Sequence, residues 1–129
     1  MPGYLADLEE VRRIVQLYIE GSNGDVEKLK EAFHPTAYMH GQIEHLGFKS
    51  YYPFANFIEM VGQKPGMAGP NYKAYVRSID ITGDAGVAVL VETDYLGSDF
   101  VDYFSVAKIE GRWWIVNKTF TCTGKSPQK

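Results

Sequence analysis

Asp102 is the residue of this sequence that points most directly to chemistry, because the predicted strand pairing makes it the one carboxylate on the concave side of a sheet. A two-residue turn at Gly97-Ser98 sets Thr93 opposite Asp102 on that side. An ionised carboxylate in an apolar cavity is strongly disfavoured, so Asp102 must stay protonated or find donors. The candidate donors are Thr93, Asn117 and Thr119 on the sheet and Tyr18 on the first helix. The alternative is that Asp102 bonds a backbone group or faces solvent at the mouth of the cavity.

Histidine suits proton transfer, because its unperturbed pKa of about 6.5 lies near physiological pH. His40 ends a predicted short strand and is our candidate for the catalytic base; a surface or interface histidine is the competing interpretation. His45, in the following loop near the predicted mouth, is a candidate ligand contact. His34 precedes Pro35 where a helix must stop, and we expect it to be structural.

Aromatic side chains are candidates for the cavity wall. On the third predicted helix a stripe begins at Phe54 with the i, i+3, i+4, i+7 spacing of a buried helix face, and Phe100 shares the side of Asp102 on its strand. Such stripes serve packing as well as lining, so both interpretations stay open. The candidate ligand-binding residues are Phe54, Phe57, Ile58, Thr93, Phe100, Phe104, Asn117, Thr119 and His45.

Helices followed by strands must position these residues. Helical spacing predicts a first helix over 5–20, a second that Asp25 caps and His34-Pro35 ends, and a third that Ser50 caps. Strand composition marks the runs 36–40, 72–81, 85–96, 99–109 and 112–122. This order predicts one α+β domain over residues 1–123, with an antiparallel meander and a frayed tail at 124–129.

The convex side of the predicted sheet is too apolar for a solvated face. A two-residue turn at Glu110-Gly111 directs Asn117 and Thr119 inward, and the turn at Thr82 to Asp84 directs Tyr75 and Arg77 inward as well. The convex side then carries Val101, Tyr103, Trp114, Val116, Phe120 and Cys122, with Glu92, Asp94 and Asp99 at one end. We expect a homodimer through this face.

Composition limits the classes of partner and cofactor that we expect the chain to bind. The chain has 129 residues and a net charge of −3 at pH 7, so we expect neither nucleic acid nor a membrane as partner. The single Cys122, the absence of zinc-type Cys/His spacing and the absence of a phosphate-binding glycine loop predict no metal and no cofactor. An acidic, amphipathic start favours a cytoplasmic protein over one with a signal peptide.

Four stretches carry a resemblance to a known superfamily. They are LYIEGSNGD at 17–25, FHPTAYMHG at 33–41, IDITGD at 79–84 and GRWWIVNK at 111–118. With the order of elements they resemble the nuclear transport factor 2-like (NTF2-like) superfamily over nearly the whole chain. FVDYF at 100–104 is most similar to its SnoaL-like and lumazine-binding-like members. The resemblance implies three N-terminal helices packed on a strongly curved, mostly antiparallel sheet, a cone that encloses a pocket, and usually a homodimer.

One branch of the superfamily suggests roles for two residues. Ketosteroid isomerases carry a helix-one tyrosine and a mid-sheet aspartic acid that hydrogen-bond a developing enolate oxygen. The resemblance places Tyr18 and Asp102 at these positions, where each donor would contribute roughly 3–4 kcal/mol. The base aspartate of the isomerases corresponds to Gly41 here, so the resemblance leaves the base to His40 or to Glu44 and His45 in the next loop.

We therefore predict a cofactor-independent isomerase, dehydratase or lyase that acts by proton transfer on a small hydrophobic carbonyl-type substrate. Tyr18, Asp102 and His40 are its predicted catalytic residues. The alternative is a non-catalytic binding protein that holds a planar hydrophobic metabolite in the same cavity. A third hypothesis is a protein that serves only for dimerisation or docking of a partner.

Overall fold

The computed structural model describes residues 2–127, and this part of the chain forms three α-helices and six β-strands. The elements are α1 (Pro2–Gly21), α2 (Val26–Ala32), β1 (Phe33–Ile43), β2 (Phe48–Pro53), α3 (Phe54–Gln63), β3 (Ala68–Thr82), β4 (Ala85–Tyr95), β5 (Ser98–Ile109) and β6 (Arg112–Lys125). A single 3-10 turn at Glu44–Leu46 joins β1 to β2. Within residues 2–127, none of the helices combines the length and apolar character that crossing a membrane requires.

The six strands form one curled, mixed sheet in the order β2-β1-β6-β5-β4-β3. Neighbouring strands are antiparallel except β1 and β6, which are parallel. The helices cover the inner face, where the stripe Val11, Ile14, Val15 and Tyr18 of α1 is fully buried. The α+β cone predicted from the sequence is confirmed.

Helix boundaries differ from the prediction at two places. Ser50 does not cap a helix; it lies in β2, and α3 begins only after Pro53. Phe33 begins β1 instead of ending α2, because its extended backbone continues directly into the strand. At the other end β6 continues to Lys125, inside the predicted tail at 124–129, and the last two residues of that tail lie outside the described ones.

A β-bulge near the end of β4 changes which residues face inward. The turn is Leu96-Gly97 instead of Gly97-Ser98, so Tyr95 pairs with Ser98. The ladder then shifts before Glu92, which pairs with Phe100, while Leu90 pairs with Asp102. Asp94 takes a left-handed backbone with φ 61°, the conformation that lets the extra residue fit. The predicted pairing of Thr93 with Asp102 is therefore wrong: Thr93 lies on the outer side and Glu92 is buried inside.

A second bulge, at Val116 of β6, has the same effect on the last strand. Lys108 and Val106 pair with Trp113 and Ile115 as predicted, but Ser105 pairs with Asn117 beyond the extra residue. Lys118 and Phe120 consequently face inward, and Asn117 and Thr119 face outward, where the Asn117 amide donates to the Thr119 hydroxyl at 2.9 Å. The prediction that placed Asn117 and Thr119 inside and Phe120 outside is wrong for this reason.

The outer face carries exposed aromatic side chains. Tyr75 and Tyr103 are exposed, and the Arg77 guanidinium donates to the Tyr103 hydroxyl at 3.0 Å. A bulge at Arg77 in β3 turns both Tyr75 and Arg77 outward, contrary to the prediction. Trp114 stacks against Arg112, whose guanidinium carbon lies 3.6 Å from the ring centroid. Homodimerisation through this face stays a prediction.

Candidate functional site

A cavity opens into the inner face of the sheet between α1, α3 and the ends of the strands. Its empty space is about 320 Å³ with its mouth included, and only a small part of it is wide enough for a water molecule. Apolar and aromatic side chains make most of the wall, and two carboxyl groups, one amine and two phenols converge in it. The lining residues are Tyr18, Met39, Ile43, Phe48, Phe57, Met60, Glu92, Tyr95, Leu96, Phe100, Asp102, Lys118 and Phe120.

Asp102 and Glu92 form a buried carboxyl pair in this cavity. Asp102 is 1% exposed and Glu92 is 2% exposed. Among the described residues no donor bonds either oxygen of Asp102 when both carboxyl groups are ionised. The two groups lie close enough to hydrogen-bond if one of them carries a proton. A buried carboxylate with unsatisfied oxygens is rare in folded proteins, which makes Asp102 a candidate functional group.

Glu92 is the member of the pair that holds the proton. Burial, followed by the charge and the hydrogen bond of Asp102, raises the pKa of the Glu92 carboxyl well above its ordinary value. Lys118 and the Tyr72 hydroxyl, which donates to Oε2 of Glu92 at 2.6 Å, oppose the shift without cancelling it. The raised pKa of Glu92 therefore favours a pair that shares one proton and carries one negative charge.

Lys118 supplies the matching positive charge from the next strand. Its amine is buried and donates to the Tyr18 hydroxyl oxygen at 2.6 Å. Three rings surround the nitrogen, with centroids at 4.7 Å for Tyr18, 4.9 Å for Phe57 and 5.0 Å for Phe120. Such faces attract a cation, so the amine is held in place by the walls of the cavity.

Tyr18 is positioned to donate a hydrogen bond into the cavity. Burial raises the pKa of its hydroxyl well above the ordinary value, and the nearby charges of Glu92 and Asp102 add to the shift. The phenol therefore stays protonated, and because its oxygen already accepts from Lys118, its own hydrogen remains available to a ligand. The Tyr95 hydroxyl, by contrast, is committed to the backbone oxygen of Ser22 at 2.7 Å.

The structure brings four of the predicted site residues into the cavity wall and leaves the others outside it. Those in the wall are Tyr18, Asp102, Phe57 and Phe100. Phe104 is fully buried beneath it, with its ring 5.1 Å from that of Tyr18. Phe54 stacks on Phe33 at 3.5 Å and belongs to the core, and Ile58 lies with it along a separate groove between α2 and α3.

The predicted histidines lie away from the cavity. His40 is exposed on the outer face between Tyr38 and Tyr51, because strand alternation buries Met39 and turns its neighbour out. The catalytic role predicted for His40 is therefore not supported by its position. His45 is exposed, with Nε2 2.9 Å from the Ser98 hydroxyl. Thr93, Asn117 and Thr119 are also outside, as the two bulges require.

Sequence reasoning missed Glu92, Lys118 and Phe120. All three lie one residue away from positions that simple alternation directs inward, and each is moved there by a bulge. A charged residue that directly follows an apolar run, as Glu92 follows VAVLV at 87–91, is the signal that could have found the first of them. At Gly41, where the resemblance expected a base in isomerases, an added Cβ would lie 2.5 Å from the Phe120 ring, so that ring occupies the space.

Metal ligands do not cluster in the described part of the chain. No group of three or more His, Cys, Asp or Glu side chains in residues 2–127 is arranged to hold a metal ion. The polar groups of the cavity are two carboxyls, one amine and phenols, a set suited to moving protons and polarising an oxygen.

Comparisons with known proteins agree with the architecture. The family described as "Putative lumazine-binding" matches residues 6–121. An aldolase, FrzH from Cladobotryum sp., is 29% identical over 105 residues, which are 80% of this chain and 81% of the aldolase.

Solved structures show the same fold. An NTF2-like protein of unknown function from Shewanella baltica superposes with a TM-score of 0.82 at 24% identity, over 95% of this chain and 98% of that one. Another from Methylobacillus flagellatus gives a TM-score of 0.81 at 21% identity, over 92% and 94% of the two chains. At these identities the likeness establishes the fold alone.

Proposed function

Because the chain belongs to the putative lumazine-binding family of the NTF2-like superfamily, we propose that it is a cofactor-independent lyase of the aldolase type. It removes a proton from the carbon next to the carbonyl group of a small hydrophobic substrate. The fold and the family support a small-molecule-binding or catalytic role for the chain. The specific reaction is our proposal.

The buried carboxylate of Asp102 carries this proposal. Its two oxygens have no donor among the described residues other than the proton that Glu92 holds, and they lie in the wall of the cavity. A buried carboxylate whose oxygens accept no other hydrogen bond leaves its lone pairs available to a ligand in the cavity. Asp102 is therefore suited to accept the proton from a carbon acid.

Tyr18 and Lys118 would stabilise the charge that forms when that proton leaves. The negative charge moves to the carbonyl oxygen, where the Tyr18 hydroxyl donates a hydrogen bond. The Lys118 amine, 2.6 Å from the Tyr18 oxygen, strengthens that donor. A preorganised donor of this kind contributes roughly 3–4 kcal/mol in a cavity that excludes water.

The name of the related aldolase favours carbon–carbon bond chemistry over isomerisation. An aldol reaction begins with the same loss of a proton beside a carbonyl group, and the resulting nucleophile then attacks a second carbonyl carbon. Only a small part of the empty space is wide enough for a water molecule, so a substrate needs the wall to move as it enters. Met39 and Met60 are the adaptable part of that wall, which favours a substrate of few heavy atoms.

Hydrogen exchange at the substrate carbon tests the proposal. The purified chain is incubated with cyclohexanone in deuterated buffer, and loss of the α-hydrogen signals is followed by NMR. We expect exchange above the buffer rate, and a decrease of roughly 10²- to 10⁴-fold in Asp102→Asn. Asp80→Asn, which changes an exposed carboxylate on β3, is the matched control and should keep the wild-type rate.

The non-catalytic alternative gives a different result. A binding protein would show no exchange above buffer for cyclohexanone or acetone, while Asp102→Asn changed only the affinity for a ligand. Equal exchange rates in the wild-type chain and Asp102→Asn would also contradict the proposal, because the base would then lie elsewhere.

A further inference from the structure

We propose that Lys118 is a covalent site for aldehydes and ketones, at which its amine condenses with a carbonyl carbon to form an iminium ion. This inference rests on the proposed function, since it specifies how the carbonyl group is activated. It also makes a claim of its own, because a lysine that forms such an adduct can be detected without any turnover.

The surroundings of Lys118 differ from those of the paired lysines at the surface. Lys28, Lys30 and Lys108 each have a carboxylate within 4.0 Å and are well exposed. Lys118 is 5% exposed, and no carboxylate within residues 2–127 lies inside that distance of its nitrogen. Desolvation without a direct ion pair is the environment in which a lysine amine becomes nucleophilic.

The aromatic cage orients the amine without blocking it. A ring face holds a buried ammonium less strongly than a hydrogen-bonded carboxylate would. The Tyr18 oxygen accepts one of the hydrogens of the amine at 2.6 Å. The remaining two belong to a nitrogen that lines the cavity, where a small carbonyl compound can reach it.

Lys118 also stands at the right place relative to Asp102. Asp102 pairs with Phe120, and Phe104 pairs with Lys118, so Asp102 and Lys118 are diagonal neighbours on the inner face. Such diagonal positions are about 7–8 Å apart. A carbonyl carbon bonded to Nζ of Lys118 would therefore present its neighbouring carbon toward the Asp102 carboxylate, which completes the proton transfer proposed above.

The groups in the cavity supply and accept every proton that the condensation moves. The ammonium first gives one proton to the Asp102–Glu92 pair, which leaves neutral groups in place of separated charges. The nitrogen lone pair then forms a C–N bond, and the carbonyl π electrons move to the oxygen, which takes a proton from the Tyr18 hydroxyl. Tyr18 then recovers its proton from the nitrogen, which gives a neutral carbinolamine. The oxygen leaves as water after a second proton arrives from the carboxyl pair, and the nitrogen lone pair forms the C–N double bond of the iminium ion. The nitrogen has then lost two hydrogens in all, and the carboxyl pair again carries one negative charge.

A 1,3-diketone tests this site directly. 2,4-Pentanedione condenses with a reactive amine, losing one water, to give a stable conjugated enaminone that absorbs in the near ultraviolet. The full chain is incubated with this probe, and peptide mass spectrometry locates the label. We expect labelling of Lys118 at least tenfold above any other lysine, and loss of the ultraviolet band in Lys118→Met.

Two controls keep the result independent of folding. Lys73→Met removes an exposed lysine of β3 and should leave the band unchanged. If Lys118→Met fails to fold, the position of the label in the wild-type chain still decides the question. Label spread evenly over the surface lysines, or no label at all, overturns the proposal.

The two proposals fail in distinguishable ways. If α-hydrogen exchange occurs while no adduct forms at Lys118, Lys118 is not a covalent site and the proton-transfer function stands. If Lys118 is labelled while no exchange is seen with ketones, the covalent site stands and the proposed function is wrong. If both are right, Asp102→Asn should lose exchange and should also label more slowly, because the carboxyl pair exchanges protons with the amine during the condensation.

Discussion

The inner face of the sheet has two ends of opposite character, although the same strands build both. Toward the closed end, β5 and β6 contribute Phe104, Val106, Trp113 and Ile115, all of them buried and apolar. Two residues before Phe104 on β5 is Asp102, and three residues after Ile115 on β6 is Lys118; both are also buried, but they are ionisable. The bulge at Val116 lies between the two ends on β6.

This difference separates the part of the molecule that stabilises the fold from the part that performs the proposed chemistry. Burying apolar area at the closed end lowers the free energy of folding by roughly 25 cal/mol per Å². Burying an amine and two carboxyl groups does the reverse, because their mutual attraction only partly offsets lost hydration. The polar end therefore persists at a cost to stability, which is the usual pattern of a functional site.

Truncation at the closed end should have the largest effect on stability. Trp113→Ala removes a large, 1% exposed side chain and the hydrogen bond from its indole to Asp7 at 2.9 Å. We expect a decrease of about 3–5 kcal/mol in the free energy of unfolding, measured with urea. Trp114→Ala is the matched control, because the neighbouring tryptophan lies half-buried on the outer face; it should cost about 1 kcal/mol. Equal losses in the two variants would contradict the assigned faces.

Sequence patterns identified the closed end well. Strand alternation over Trp113 and Ile115 and the helical stripe of α1 both hold in the structure, because these positions lie in regular elements where the repeat is constant. Tyr18 and Asp102 also face inward as expected. Regular repeats therefore carried the prediction of the fold and of half of the polar cluster.

The same patterns failed beyond each bulge. One extra residue inverts the alternation of everything after it, so Glu92 and Lys118 were directed outward and Thr93, Asn117 and Thr119 inward. Neither bulge has a glycine, and the left-handed residue of the first is Asp94. Its side chain is held by tertiary contacts that local sequence does not reveal. The two bulges that redirect charged side chains into the cavity therefore account for the errors at the candidate site, and the third bulge, at Arg77, affects only the outer face.

Substitution of Asp94, in the bulge of β4, should have the second largest effect on stability. Asp94 has φ 61°, and its Oδ2 accepts from the backbone nitrogen of Asn71 at 2.8 Å. Asp94→Ala loses that charged hydrogen bond and places a less tolerant residue in the left-handed region. We expect a decrease of about 2 kcal/mol in the free energy of unfolding, and Asp94→Asn, which tolerates the same backbone, should lose about 1 kcal/mol or less. A loss below about 0.5 kcal/mol in Asp94→Ala would show that the bulge does not depend on this side chain.

The smallest expected effect is a change in how the free energy of unfolding depends on pH, and it tests the polar end directly. Burial and the neighbouring Asp102 raise the pKa of Glu92 in the folded chain, whereas the unfolded chain has the ordinary value of about 4.5. The folded state thus keeps a proton that the unfolded state has lost, and a rise in pH above this value favours unfolding by up to about 1.4 kcal/mol per pH unit. The contribution is fully present below pH 4.5 and is lost as pH rises toward the raised pKa.

Glu92→Gln cannot ionise and should remove this slope while keeping a hydrogen-bonding group beside Tyr72. Urea unfolding is measured at about pH 5, 6 and 7. At each step the free energy of unfolding of the variant should rise relative to that of the wild-type chain, by up to about 1.4 kcal/mol per pH unit. Groups away from the cavity titrate equally in both chains, so the difference between them isolates the Asp102–Glu92 pair. Glu59→Gln changes an exposed glutamate on α3, and its free energy of unfolding should depend on pH as that of the wild-type chain does. If Glu92→Gln also shows the wild-type pH dependence, the carboxyl pair holds no extra proton. Asp102 would then lose the partner that distinguishes its end of the sheet from the apolar one.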